Sequence, residues 1–412
     1  MTAPARQQTV RLHNMGLVVR HLNTVGPSSR AQIAAATGLT KGTVSSLVND
    51  LLRSGLIQEP GVQARGDAGR PGSILEINTA SRASLGLEIN VDYMSACVAD
   101  LGNRVRFHRV DGVDQQAAPE QALTRLAHLA RAALEAAGSQ RLTVCGVGVA
   151  LPGIVDPVAG LLHSAPNLGW QELPITELLA ERLAVPPETL LVDNEANLAA
   201  LAELWCGRGP HWGDYLHVSG EIGIGAGVVV GGQLLRGSRG FAGEIGHVPL
   251  AVDGPPCACG GRGCLERYCG QAAILRAAGL DSAATTSNGR PDGSIARLLA
   301  ALRAEDVRAT NAVRDAAFWL GRGIGGVVNV LDVDTVVLGG IFAPLAPWLE
   351  QPFTEAVHQQ MIAARWAPVE ITASKLGPDA AVRGAAGLVT QRVLADPGAM
   401  ASLDPANVTA AR

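Results

Sequence analysis

One stretch of eighteen residues constrains this chain more than any other. It runs from His247 to Cys264 and holds His247, Cys257, Cys259 and Cys264, spaced by glycines that let the backbone fold around a small centre. Three thiolates and one imidazole make a closed tetrahedral donor set, the usual arrangement for a structural zinc, so the segment is expected to hold Zn2+. Glu244 and Glu266 flank the set and are not needed as ligands. A metal knot with spare carboxylates at its edge is a scaffold for gripping something polar. The alternative is a disulfide cluster, but Cys257 and Cys259 are too close to pair comfortably and no secretory segment precedes them.

The 412 residues leave room for two or three domains, and 47% hydrophobic content is ample for real cores. No apolar run reaches the length of a membrane span, and Met1–Arg6 lacks an apolar leader. With its cysteines grouped at a metal motif, the chain is expected in the cytoplasm, at the nucleoid, with no membrane partner. The net charge of −4 is unevenly spread. Residues 1–75 carry eight Lys/Arg against three acids, a net of +5 that leaves −9 for the remainder. A basic head on an acidic body implies that only the head meets a polyanion.

The head has a pattern as well as a charge. Ser29 reads as a helix N-cap with Gln32 in the capping-box position, and the helix stops at Thr37-Gly38-Leu39. Thr40 then caps a second helix, whose Val44, Leu47, Val48, Leu51 and Leu52 form one apolar stripe. That leaves Lys41, Thr43, Ser45, Ser46 and Asn49 outward, with Arg30 on the first helix. This is a helix-turn-helix, and small polar side chains at its exposed start suit the major groove of double-stranded DNA. Two short strands, Leu56–Glu59 and Ser73–Ile77, flank a Gly/Pro-rich basic tip with Arg65 and Arg70. Such a wing suits a narrow minor groove.

From Ala83 apolar strands alternate with longer helical stretches: a hairpin at 85–89 and 95–99, a helix over 117–137, a buried strand over 144–151, and glycine-rich strands at 223–232 and 335–340. The body is an α/β fold, expected as two lobes with a cleft between them. The expected division is a head over 1–80, a first lobe over 81–200, a second lobe with the zinc loop over 201–395, its last helix packing back on the first lobe, and a loose tail over 396–412.

The pattern Gly243-Glu244-Ile245-Gly246-His247 followed by Cys257, Cys259, Cys264 and Glu266 resembles the signature of the ROK family of repressors, open reading frames and sugar kinases. The resemblance covers nearly the whole chain. It implies an actin-like body, zinc on His247, Cys257, Cys259 and Cys264, and a sugar held by Asn167, Asn194, Glu195, Glu244, His247 and Glu266. Carboxylates and carboxamides suit that task because each can satisfy several hydroxyls. Gly69-Arg70-Pro71 at the wing resembles the same family's repressors.

Family kinases carry two glycine-rich phosphate loops and an aspartate base. The corresponding stretches are Glu88-Ile89-Asn90-Val91-Asp92, Glu221-Ile222-Gly223-Ile224-Gly225 and Asn194-Glu195-Ala196-Asn197. Acids stand where phosphate should approach, and the base gains a methylene. Asn-Glu-Ala-Asn resembles the xylose-operon branch of ROK repressors. The expectation is therefore a sugar-responsive repressor rather than an enzyme, taking a pentose or hexose. It is expected as a homodimer or tetramer, because such heads read half-sites about 34–36 Å apart. The alternatives are a ROK sugar kinase with an added DNA-binding head, and a DNA-binding protein whose body serves only assembly.

Overall fold

Sequence-local signals build the N-terminal part. The computed structural model describes residues 7–60, 73–113, 117–280, 292–397 and Leu403. It opens with α1 (Gln7–Val25), β1 (Ser28–Ser29), α2 (Arg30–Thr37), α3 (Lys41–Arg53), β2 (Ile57–Gln58) and β3 (Ile74–Ile77). The Ser29 hydroxyl accepts from the Gln32 N–H at 3.3 Å while Gln32 Oε1 accepts from the Ser29 N–H at 2.8 Å, the reciprocal box expected from sequence. Gly38, at φ 71°, ends α2 in the left-handed region that glycine tolerates. The Thr40 hydroxyl caps α3 by accepting from the Thr43 N–H at 3.2 Å. Val44, Leu47, Val48 and Leu51 are buried, and Leu52 is half-buried. β3 pairs antiparallel with β1 and β2, giving the small sheet of a winged helix-turn-helix. The wing tip, with Arg65 and Arg70, lies outside the described residues.

Helix α1 carries no strong apolar stripe or cap signal in its sequence. Its Met15, Val18, Val19 and Leu22 close the core beneath α2 and α3.

The body repeats one topology twice. The first half contains β4 (Arg82–Ile89), β5 (Tyr93–Asp100), β6 (Val105–Gly112), α4 (Pro119–Ser139), β7 (Thr143–Leu151), β8 (Ile154–Asp156), β9 (Leu161–Ala165), β10 (Trp170–Leu173), α5 (Ile175–Leu183), β11 (Leu190–Asn194) and α6 (Glu195–Cys206). The second contains β12 (Tyr215–Gly220), β13 (Ile224–Val230), β14 (Gln233–Leu234), α7 (Glu266–Cys269), α8 (Gln271–Ala277), α9 (Asp292–Arg303), α10 (Val307–Leu331), β15 (Thr335–Gly340), α11 (Phe342–Gln360), β16 (Glu370–Ala373) and α12 (Ala380–Ala395). The first main sheet runs β11-β7-β4-β5-β6 and the second β14-β13-β12-β15-β16. In each, three strands pair antiparallel and two more are added in parallel beside the first of them. The ends of β4, β7, β11 and β12 lead into residues that line a shared cleft, where ligands bind in open α/β sheets.

Helices α6 and α12 join the halves. α6 lies on β13, where a side chain at Gly225 would meet the Ala196 Cβ at 2.8 Å. α12 packs on β4, β7 and α6 and reaches α1, where a Cβ on Gly16 would stand 2.6 Å from the Ala395 carbonyl oxygen. Val389, Val393 and Leu394 of α12 share a core with α1 and α3. Leu403, in the stretch expected to be loose, is buried and donates its N–H to the Val144 carbonyl at 2.9 Å. Among the described residues no helix is long and apolar enough to cross a membrane.

Candidate functional site

Asn167, Asn194, Glu195, Glu244, His247 and Glu266 all line one cleft between the halves of the body. Asn167 sits on the turn between β9 and β10, which Gly169 completes at φ 69°. Glu266 starts α7 and faces it across Gly223, where an added Cβ would meet Glu266 Oε2 at 2.9 Å and Asn167 Nδ2 at 3.3 Å. The absent side chain at Gly223 therefore leaves the space between the two polar groups open.

Asn194 does most of its work inside the protein. As the N-cap of α6 its Oδ1 accepts from the N–H groups of Ala196 (2.8 Å) and Asn197 (3.1 Å), and its Nδ2 donates to the Gly153 carbonyl (2.9 Å). One amide proton remains for a ligand. Its side chain fixes where α6 begins and so where Glu195 points.

Glu195 is the first residue of α6, and its Oε2 is buried without a hydrogen-bond partner. Burial, reinforced by the charges of Glu88, Glu244 and Asp92, pushes its carboxyl up to about 8. Glu88 accepts from the Tyr93 hydroxyl (2.7 Å) and the Ser95 hydroxyl (3.1 Å). Burial still raises it to about 7. Glu221 is driven well above the ordinary carboxylate range by burial and by Glu195, Glu88 and Asp92. Glu195 and Glu221 line the cleft, and Glu88 is buried next to the β4 end that leads to Asn90 in the lining. Among the described residues the cleft lining contains no Lys or Arg. Asn90 and the Pro152-Gly153 turn also line the cleft. Asn90 belongs to the stretch compared above with a kinase phosphate loop, while Pro152-Gly153 offers only an ordinary turn signal in sequence.

His247, Cys257, Cys259 and Cys264 converge, with their donor atoms all within 4.8 Å of one another. Cys259 Sγ and Cys264 Sγ are 3.7 Å apart, as are Cys257 Sγ and His247 Nδ1. A disulfide needs about 2.05 Å, so these sulfurs are not bonded. Zinc–sulfur bonds of about 2.3 Å place two ligand sulfurs about 3.8 Å apart on a tetrahedron's edge, which fits. The loop is shaped by Gly260 and Gly263, at φ 89° and 68°, and by the Cys257 N–H donating to the Gly261 carbonyl at 2.9 Å. The Cys257 thiol donates to Glu266 Oε1 at 2.9 Å, joining the knot to the cleft wall.

On the head, Lys41, Ser46 and Asn49 are exposed on α3, while Thr43 and Ser45 are half-buried. Ser45 donates to the Lys41 carbonyl at 2.9 Å, and Ser46 accepts from Arg11 at 3.1 Å. Arg11 and Arg53 both pair with Asp50, neutralising the acid on this face. Arg30 pairs with Glu59 at 2.9 Å and is partly exposed.

The ROK family model matches residues 84–392, and the MarR family model matches residues 15–66. The chain belongs to the ROK family. The xylose repressor of Bacillus subtilis (strain 168) is 27% identical over 390 residues, covering 95% of this chain and 98% of that one. A ROK family transcriptional regulator, a homologue of the E. coli Mlc protein, has the same fold, with a TM-score of 0.77 at 22% identity, covering 97% of this chain and 99% of that one. A ROK family glucokinase from Streptomyces griseus, solved with glucose and AMPPNP, is 27% identical, with a TM-score of 0.64, covering 74% of this chain and 98% of that one.

Glu195 gives a pH signature. Its carboxyl titrates near 8 when folded against 4.5 as a free side chain, so the folded chain holds an extra proton between those values. The stability this contributes is full below the lower value and is lost as pH rises through the upper one. Glu195→Gln should flatten the fall of unfolding free energy between about pH 5 and 8, by up to about 1.4 kcal/mol per pH unit. Urea titrations across that range check it, and a slope equal to the parent's contradicts it.

Proposed function

We propose that this chain is a sugar-responsive DNA-binding repressor of carbohydrate uptake or catabolism genes, with no phosphoryl-transfer activity. The decisive observation is chemical: Asn90, Val91 and Glu221 stand where a kinase of this family carries phosphate-loop glycines, Asp92 where it carries a small hydroxyl and Glu195 where it carries its aspartate base, while the hydroxyl-binding side of the same cleft keeps its amides and carboxylates. The named relatives support the direction, since the Bacillus subtilis protein that matches nearly the whole chain is a xylose repressor.

In this reading a pentose or hexose, xylose first among them, lies between Asn167, Asn194 and Glu195 on one side and Glu244, His247 and Glu266 on the other. His247 contributes Nδ1 to a structural zinc with Cys257, Cys259 and Cys264, and turns its other ring nitrogen toward a hydroxyl. The zinc would supply rigidity to the loop that carries His247 and Glu266. The head over residues 1–80 reads operator DNA, with Lys41, Thr43, Ser45, Ser46 and Asn49 in the major groove and Arg30 on the backbone. Arg65 and Arg70 reach the minor groove from the wing. The lobes span 81–200 and 201–395, with residues 396–412 as a tail. The protein acts in the cytoplasm as a homodimer or dimer of dimers, one head per half-site.

Sugar binding lowers operator affinity by moving the lobes, and with them the heads. Fluorescence anisotropy on DNA from upstream of its own gene, at fixed salt, tests this with xylose, glucose and N-acetylglucosamine. One sugar should weaken binding by between about 5- and 150-fold. Tight binding indifferent to every sugar contradicts the sensor, and ADP release with sugar and ATP contradicts the absence of kinase activity. Lys41→Ala should lower operator affinity and reduce the slope of log affinity against log salt by about one.

Cys257→Ser should lose bound zinc, read by metal analysis, together with the sugar response. Full zinc and normal release in that variant contradict the metal's role.

A further inference from the structure

Asp193 and Arg236 come from different halves of the body and meet beside the cleft. Asp193 is the penultimate residue of β11 and is 1% exposed. Arg236 follows β14, and its Nη2 lies 2.6 Å from Asp193 Oδ2. The other oxygen, Oδ1, accepts from the Asn194 N–H at 2.8 Å and from Asn197 Nδ2 at 3.3 Å. One carboxylate therefore ties the end of the first sheet, the start of α6 and a guanidinium of the second half.

The backbone of the same arginine is fixed too. Its carbonyl accepts from the Ala242 N–H at 3.1 Å, closing a turn that Gly237 makes at φ 71°. That turn delivers the chain to Gly243, whose carbonyl accepts from the Ala226 N–H at 3.1 Å, and so to Glu244 and His247. Arg236 thus holds the loop carrying Asn194 and Glu195 with its side chain, and the loop carrying Glu244 and His247 with its backbone. A buried carboxylate stripped of its counter-ion is strongly disfavoured, so the pair resists separation of the halves. Nη1 is buried with no acceptor among the described residues, which leaves Asp193 as the group orienting the guanidinium there.

We propose that Arg236 is a positioning residue of the cleft: its ion pair with Asp193 sets the spacing at which the two loops reach one sugar ring. This rests on the sugar-binding reading above. It does not require Arg236 to touch the ligand.

The test uses the full zinc-loaded chain, with Arg236→Met, Arg236→Lys, Asp193→Asn and the Met/Asn double variant. Calorimetry with xylose, glucose and N-acetylglucosamine reads affinity, and hydrogen exchange without sugar reads the two loops, 190–197 and 236–247. Arg236→Met should weaken the sugar that the parent binds by about tenfold or more. Arg236→Lys should fall between, and the double variant should be no weaker than the worse single one, because both remove one interaction. Exchange should rise at both loops in Arg236→Met while zinc content stays at the parent's level. Unchanged sugar affinity in Arg236→Met, or additive losses in the double variant, overturns the proposal. If the parent binds none of these sugars, the sugar reading fails, and exchange decides the latch alone: faster exchange at both loops upholds it, and parent-like exchange overturns it.

Discussion

The close packing of α12 sets the architecture on which everything else depends. This helix reads Ala-Ala-Val-Arg-Gly-Ala-Ala-Gly and is buried along most of its length. Small residues let its backbone approach its neighbours more nearly than an ordinary helix could. Gly86 of β4 faces the Val382 carbonyl, Gly148 of β7 faces Ala385, and Gly384 faces Leu198 of α6. At its far end the Ala395 carbonyl rests on Gly16 of α1. The helix is thus in contact with the sheet behind the cleft, with the helix that begins at Glu195 and with the DNA-binding head. Interiors packed this tightly transmit displacement instead of absorbing it. A shift of α6 on ligand binding has a physical route to α1 and α3.

The cleft itself is governed by charge. Its lining concentrates Glu195, Glu221, Glu244 and Glu266 in a poorly solvated space, and burial with the charges of neighbouring acids raises Glu195 and Glu221. A protonated or partly protonated carboxyl both donates and accepts hydrogen bonds, which suits hydroxyl groups of either polarity. A triphosphate would meet no described Lys or Arg in this lining.

Much of this was legible in residues because its signals are local. Ser29, Gln32, Gly38 and Thr40 mark the ends of α2 and α3, since caps involve atoms only a few residues apart. The Cys/His spacing announced a metal-sized centre for the same reason. Interactions that span long distances in sequence were invisible: Arg30 with Glu59, Arg11 with Asp50, and Arg236 with Asp193. Asn194 was expected as a sugar ligand, and in the structure two hydrogen bonds engage its Oδ1 as the cap of α6 while a third ties its Nδ2 to the Gly153 carbonyl. Helix α1 escaped because its apolar positions are diluted by polar neighbours along Gln7–Val25, and its burial comes from α2, α3 and α12 instead of from a strong stripe of its own.

If α12 links the cleft to the head, the linkage must run in both directions. The most direct measurement is sugar affinity by calorimetry on the free protein and on the protein saturated with operator DNA, at one salt concentration. Coupling through the fold predicts weaker sugar binding to the operator complex, by the same factor by which sugar weakens operator binding. Equal sugar affinity in the two states would mean that cleft and head are independent, and would contradict it.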